Sequence, residues 1–241
     1  MRVNVLGIGF DNLSLEQSAT LAFDKITSKE KTYAVTPNPE IVWLSRRNEA
    51  LRSAINSAGL VLPDGIGVIY GAKILGTPLS HGRVPGIDFA AALFCKMAKA
   101  GLSVFLMGAK PGVAATAGEN LAKTYPGLII AGTADGYFTD SAPIIEKINS
   151  SRPDLLLVCL GAPKQELWMA ENLEKLDVPL CAGLGGSLDV FAGNVKRAPV
   201  FFQKAGLEWL YRIFKEPKRL ARSVSLPLFI LRVIVKRITN A

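Results

Sequence analysis

The sequence predicts an α/β fold: a Rossmann-like, mainly parallel sheet flanked by helices, with a helical C-terminal appendage. Three observations carry this. Short apolar runs alternate with amphipathic helical patterns over most of the 241 residues, the signature of strands joined by crossover helices. Residues 155–160 (LLLVCL) are an unbroken apolar run, long enough for a strand buried on both faces and too short for a helix. After Gly193 strand patterns stop, and the chain becomes basic, aromatic and helical. The boundary is placed near residue 195, with an α/β domain over 1–195 and a basic, amphipathic appendage over 196–241.

In chain order, strands are expected at 3–7, 32–35, 60–62, 103–107, 128–132, 155–160 and 179–183. Helical spacing of apolar residues falls at 15–27, 39–48, 49–57, 86–100, 113–125, 142–150 and 163–175. The opening stretch RVNVLGI reads as a strand, with no secretory leader before it. Pro163 suits a first helical turn after the buried strand at 155–160. Strand, tight turn and helix form the unit that leaves N–H groups at strand C-termini to hold an anion. Lys164, Gln165 and Glu166 crowd that turn.

Polar residues gather where the strands end: Thr36-Pro37-Asn38-Pro39, Pro63-Asp64-Gly65, Gly108 to Gly112, Asp135 to Phe138, and Gly185 to Asp189. In a parallel sheet these loops share one rim, the ligand edge of such folds. Each also has an ordinary structural reading, with Asn38 as a helix cap and the glycines as turn formers. Asp64 follows a short apolar segment, so its carboxylate sits at the mouth of a core. Desolvation there would make it a better base; equally, it could cap a helix beginning near Ile66.

Composition narrows the function. The single histidine, His81, rules out a multi-histidine metal site within one chain. Cys95, Cys159 and Cys181 show no CxxC spacing and read as buried free thiols in a reducing compartment. No apolar span approaches the length of a transmembrane helix, and a cytoplasmic protein is expected. Gly7-Ile8-Gly9 lacks the third glycine of a dinucleotide fingerprint, and the glycines at 65, 67 and 71 are spaced one residue too long. Neither a Walker motif nor an Asp-x-Asp pair occurs. A bound diphosphate would therefore be met by Arg, Lys and backbone N–H groups, and neither metal nor cofactor is expected. An epimerase or nicotinamide oxidoreductase is disfavoured by the missing fingerprint; the only Tyr-x-x-x-Lys pair, Tyr211 and Lys215, lies in the tail.

TPNPEIV (36–42), LPDGIGV (62–68), GRVPGID (82–88), GAPKQE (161–166), GGSLDVFAG (185–193) and GLEWLYRIFKEPKRLAR (206–222) together resemble the WecG/TagA/CpsF family of bacterial glycosyltransferases, in the same order and over nearly the whole chain. The resemblance implies inverting transfer of N-acetylmannosamine from a UDP donor, forming a β-1,4 bond to N-acetylglucosamine on undecaprenyl diphosphate. In the teichoic-acid branch this is the committed step of linkage-unit synthesis. Other branches serve capsule, exopolysaccharide or enterobacterial common antigen. It makes Asp64 the general base and places Thr36, Asn38, Arg83 and Gln165 around the reaction centre. The donor would lie along Gly108, Gly136, Tyr137, Gly161, Lys164, Glu166, Gly186 and Asp189, with Tyr137 available to stack on uracil or simply to pack in the core.

The net charge of +8 is uneven: residues 191–241 carry eleven Lys/Arg and two Asp/Glu, which leaves 17 basic and 18 acidic residues for the rest. A near-neutral body thus bears a basic tail. The run 226–235 (LPLFILRVIV) is too short and too charged to span a bilayer but suits its interface beside anionic headgroups. A nucleic-acid-binding α/β protein is the competing class; so much exposed aliphatic surface disfavours it. In the family the appendage closes over the active site, and Arg212, Arg219 and Arg222 fall at positions implied to stabilise the leaving group. Peripheral attachment to the inner face of the cell membrane is expected, with self-association possible.

Overall fold

Six parallel strands form the centre, in the order β4 (Leu60–Val61), β3 (Thr32–Val35), β8 (Leu180–Gly183), β7 (Leu155–Cys159), β5 (Ser103–Gly108) and β6 (Ile129–Ala134). The computed structural model describes residues 2–215 and 225–239, apart from the side chains of Lys204 and Arg212. Every residue of β7 is buried, as an interior strand covered on both faces requires.

One face is covered by α2 (Pro39–Ser45), α3 (Glu49–Ser57), α4 (Ile66–Ile74), α7 (Ala142–Ser151) and α8 (Lys164–Asn172), whose apolar residues share a core with Val35, Val158 and Cys181. The other face carries α1 (Leu15–Thr27), α5 (Gly86–Lys99), α6 (Val113–Thr124) and α9 (Ser187–Phe191), packed around Ala34, Leu157 and Ala182. Helix starts follow side-chain chemistry: Ser14 and Gln17 form a reciprocal capping box, and Asn38 and Asn48 accept from backbone N–H groups of α2 and α3. Adjacent strands β3, β8, β7 and β5 send their following helices to alternate faces. Crevices therefore open along their C-terminal ends, where open α/β sheets take ligands.

The structure corrects several expectations. The first strand does not join the parallel sheet. Residues 2–8 break at Leu6 (φ 53°) and Gly7 (φ 96°), and β1 (Arg2–Val5) pairs antiparallel with β2 (Ile8–Asp11) as a separate hairpin. Two positive φ values are what a two-residue hairpin turn matching strand twist demands. The helix expected over 39–48 ends early, at Ser45, and the separate helix expected over 49–57 follows as α3 with its own cap at Asn48. Pro163, after a cis peptide, stands just outside α8 rather than within it. Cys159 and Cys181 are buried, but Cys95 is exposed on α5.

After residue 195 come α10 (Val200–Lys204), α11 (Glu208–Lys215) and α12 (Ser225–Thr239). Helix α12 lies against α2 and α4, with Phe229 and Val233 fully buried. Two glycines make the approach possible. A Cβ at Gly71 would lie 2.9 Å from the Phe229 ring, and one at Gly67 2.9 Å from Leu226 and 2.7 Å from Pro39. Burying Phe229 and Val233 contributes about 1.5–3 kcal/mol each. The apolar run 226–235 is thus divided: one side seals the body, while Leu228, Leu231 and Val235, continued by Ile238, remain exposed. No helix among the described residues is long and apolar enough to cross a membrane.

Candidate active site

The pairing of β3 with β4 continues past both strands. Leu62 N–H donates to the Val35 carbonyl (2.9 Å) and Asp64 N–H to that of Pro37 (3.3 Å), so the two loops leave the sheet side by side. Val84 N–H donates to the Pro63 carbonyl (2.8 Å), which brings the Arg83 segment alongside. At the other wall, the Thr36 hydroxyl donates to the Gly183 carbonyl (3.3 Å) and ties the end of β3 to the end of β8.

A cleft of about 240 Å³ opens there, lined by Asn38, Asp64, Arg83 and Gly186. Helix α4 begins beside Asp64 with Gly65 at its cap position and no side-chain cap bond. Asn38 does serve as a cap, accepting from Ile41 N–H at 3.0 Å. Thr36 and Gln165 are not in the lining; both are buried beneath it. The Gln165 amide accepts from Gly185 N–H (3.0 Å) and donates to Glu166 (2.9 Å). It thereby fixes the loop after β8 from below. Glu166 is buried as well; burial pushes its carboxyl up, against the hydrogen bond from Gln165. Its Oε2 has no partner among the described residues.

The appendage supplies the roof: Glu208, Trp209 and Ile213 of α11 and Ser225 and Leu226 of α12. Glu208 receives Arg83 at 2.7 Å and lies 3.5 Å from Arg197, which also pairs with Asp88 at 2.5 and 3.3 Å. Arg83 donates a second bond to the Gln203 carbonyl (2.5 Å). These ion pairs are half-shielded from water. Burial pulls the Arg197 guanidinium down, but its bonds to Asp88 and its pairing with Glu208 outweigh that and hold it above the ordinary arginine value. Sequence reasoning missed Asp88, Arg197 and Glu208 as a unit. Two of them stand within the motifs GRVPGID and GLEW, yet no spacing signals that they meet.

Gly108, Gly136, Tyr137, Gly161 and Lys164 form a second rim, over the ends of β5, β6 and β7. Gly136 N–H donates to the Ala109 carbonyl (2.9 Å), next to Gly108. Lys164 reaches the Gly136 carbonyl (3.3 Å) and lies 4.9 Å over the Phe138 ring, beside the turn at Gly161. Tyr137 is 71% exposed, which removes the core-packing reading. Asp189 sits half-buried in the first turn of α9. Gly108, Gly136, Tyr137, Gly161, Lys164, Glu166 and Asp189 do not line the cleft. The buried Gln165–Glu166 pair and the loop after β8 lie between the two regions. Arg212 falls in α11, but its side chain, together with Arg219 and Arg222, lies outside the described residues. Among the described residues, no group of His, Cys, Asp or Glu is placed to hold a metal ion.

Comparison with known proteins gives a consistent picture. Residues 3–241 match the family described as Glycosyl transferase WecG/TagA/CpsF family. A protein of Bacillus spizizenii strain W23 is 40% identical over 202 residues, covering 84% of this chain and 78% of its own. One of Staphylococcus aureus strain MW2 is 34% identical over 235 residues, covering 96% and 92%. Both bear the name N-acetylglucosaminyldiphosphoundecaprenol N-acetyl-beta-D-mannosaminyltransferase.

Proposed function

The chain belongs to the WecG/TagA/CpsF family of glycosyl transferases, and from that premise we propose that it moves N-acetylmannosamine from UDP to N-acetylglucosamine carried on undecaprenyl diphosphate. In a teichoic-acid pathway this commits material to the linkage unit. One observation carries the reading: a carboxylate, Asp64, and a guanidinium, Arg83, face one cleft roofed by the appendage.

In the proposed reaction Asp64 takes the proton of the acceptor hydroxyl as that oxygen attacks the anomeric carbon. The bond from that carbon to the UDP oxygen breaks, and UDP departs with the electron pair, so the configuration inverts. Asn38, already held as a helix cap, offers its side chain at the cleft wall. Thr36 and Gln165 act from beneath, holding the ends of β3 and β8 in register rather than touching the sugar. Arg83 already has donors engaged by Glu208 and Gln203, so it contributes direction and a fixed N–H array more than uncompensated charge. The UDP moiety is assigned to the second rim, with Tyr137 free to stack on the base and Lys164, Gly108, Gly136, Gly161 and the α9 turn with Gly186 and Asp189 along its length. Arg212, Arg219 and Arg222 are proposed to meet the departing diphosphate.

The same reading treats 1–195 as the catalytic domain and 196–241 as its membrane-docking appendage, seated peripherally on the inner leaflet; the exposed stripe of α12 supports this. The test is UDP release from UDP-N-acetylmannosamine, with and without a lipid-diphosphate N-acetylglucosamine acceptor, in the presence of chelator. Acceptor-dependent release is expected to persist; release that requires a divalent ion, or that ignores the acceptor, would overturn the assignment.

A further inference from the structure

A second hollow, of about 330 Å³, lies away from the cleft and is lined by Leu6, Gly7, Arg46, Arg52, Arg232 and Lys236. Four cations from three helices border it: Arg46 closes α2, Arg52 is on α3, and Arg232 and Lys236 are one turn apart on α12. Among the described residues, no carboxylate lines it. Arg52 is paired with Glu49, but no acidic side chain among the described residues forms an ion pair with Arg46, Arg232 or Lys236. Like charges so gathered repel unless an anion joins them. The Arg46 guanidinium registers this: burial, and then the neighbouring charges of Arg232 and Arg47, lower it from its ordinary value. It also lies 4.4 Å over the Trp43 ring, which orients it.

The surroundings select the anion. Leu228, Leu231, Val235 and Ile238 recur at spacings of three and four and form an exposed stripe along α12. Arg232 and Lys236 lie on the neighbouring flank, toward the body. A helix with an outward apolar stripe and a basic flank matches a bilayer interface, where acyl chains meet phosphates. A soluble phosphate or a nucleic acid would have no use for the stripe. We propose that this hollow binds the phosphate of an anionic membrane phospholipid, with Arg46, Arg52, Arg232 and Lys236 as its ligands. The inference deepens the membrane-docking part of the proposed function and rests on it.

The site also explains a shared construction. The start of α2 and the start of α12 border the reaction cleft, while the end of α2 and the middle of α12 border the hollow. The two helices pack together. At 1.5 Å per residue the separation along either helix is about 10–15 Å. A phospholipid held in the hollow thus fixes the height of the cleft above the headgroups, at which a lipid-borne diphosphate presents its sugar.

The test is flotation of the full-length protein with phosphatidylglycerol vesicles, and with phosphatidylcholine vesicles as the neutral reference, without acceptor. Arg46→Gln with Arg232→Gln should weaken partition to the anionic vesicles about thirtyfold or more, because each lost guanidinium removes a charge-assisted contact to the bound phosphate as well as its share of the surface attraction, at about tenfold per 1.4 kcal/mol. A neighbouring pair that does not line the hollow, Arg47→Gln just past α2 with Arg237→Gln on α12, should weaken it only a few-fold. The first pair should melt no lower than the parent, since it relieves repulsion, so lost binding would not reflect unfolding. Equal losses from both pairs would overturn the site while leaving membrane docking intact. Leu231→Asp with Ile238→Asp tests docking itself: if neither this pair nor the parent differs from a protein that ignores vesicles, both readings fall. Displacement by low-millimolar inorganic phosphate would assign the hollow to the free ion. A single-stranded oligonucleotide that binds the parent and not the first pair would assign it to polyanions. A requirement for acceptor lipid would assign it to the substrate's own diphosphate. Each of these three results would overturn the phospholipid proposal.

Discussion

Removing the Glu208 carboxylate is the sharpest test of how the roof is held. Glu208→Ala deletes the 2.7 Å bond from Arg83 and the 3.5 Å contact with Arg197. A net charge-assisted hydrogen bond is worth about 1.5–3 kcal/mol, while an exposed ion pair is worth about 0–1. With Glu208 at 14% and Arg83 at 19% side-chain exposure, the site lies between these regimes. Arg83 keeps the Gln203 carbonyl and Arg197 keeps Asp88, which cushions the loss. About 1.5–2 kcal/mol on docking of α11 is expected, or roughly 10–30-fold on that equilibrium. Amide hydrogen exchange over residues 208–215 should accelerate by that factor, with β7 amides unchanged. Turnover should fall with it. Arg83→Ala should produce a similar acceleration, and the double variant little more than either single one. Additive effects in that cycle, a coupling below about 0.5 kcal/mol, would refute the claim that Glu208 holds the roof through Arg83.

Other expectations follow from single residues. Asp64→Asn should lower acceptor-dependent UDP release by about 10²–10⁴-fold with little change in donor affinity by calorimetry; undiminished turnover would remove Asp64 as the base. Glu166 has a folded-state pKa raised above its unfolded value, so its contribution to stability is present below about pH 4.5 and is lost as pH rises through the raised value. Glu166→Gln should therefore raise the melting temperature at pH 7–8 relative to the parent and show little advantage at pH 4; an equal difference at both pH values would contradict this. Burial pushes the Cys159 and Cys181 thiols up to about 12, whereas Cys95 is exposed. A thiol reagent should modify Cys95 in the native protein and the other two only on unfolding, as mass spectrometry of the labelled peptides would show.

The parts legible in the sequence were those fixed by local chemistry. The run at 155–160 announces a two-sided strand because Asp154 and the Gly161 turn bound six apolar residues, too few for a helix, and Asn38 before Pro39 announces a helix start. Asp64 was legible as a cleft residue because a short strand leaves the next polar side chain at its rim. What stayed hidden depended on long-range meetings. Leu6 gives no hint of a positive φ, since leucine seldom adopts one, so the hairpin passed for a strand. Arg197 looked like one more tail charge until Asp88 and Glu208 were brought to it. Thr36 and Gln165 stand at strand ends in the sequence, but depth is not encoded in order along the chain, and both lie under the floor. The apolar tail segment concealed its own division, because the face that seals the body and the face left bare alternate within a few residues.

The cleft draws its walls from Asn38 at one extreme and Leu226 at the other. The last wall is therefore synthesised only when the sheet has long been complete. A chain ending shortly after residue 200 would lack this roof, and it would also lack Phe229 and Val233, which complete the core beside α2 and α4. The same late segment thus finishes both the groove and part of the core, so losing it would cost the cleft its roof and the body some of its packing together.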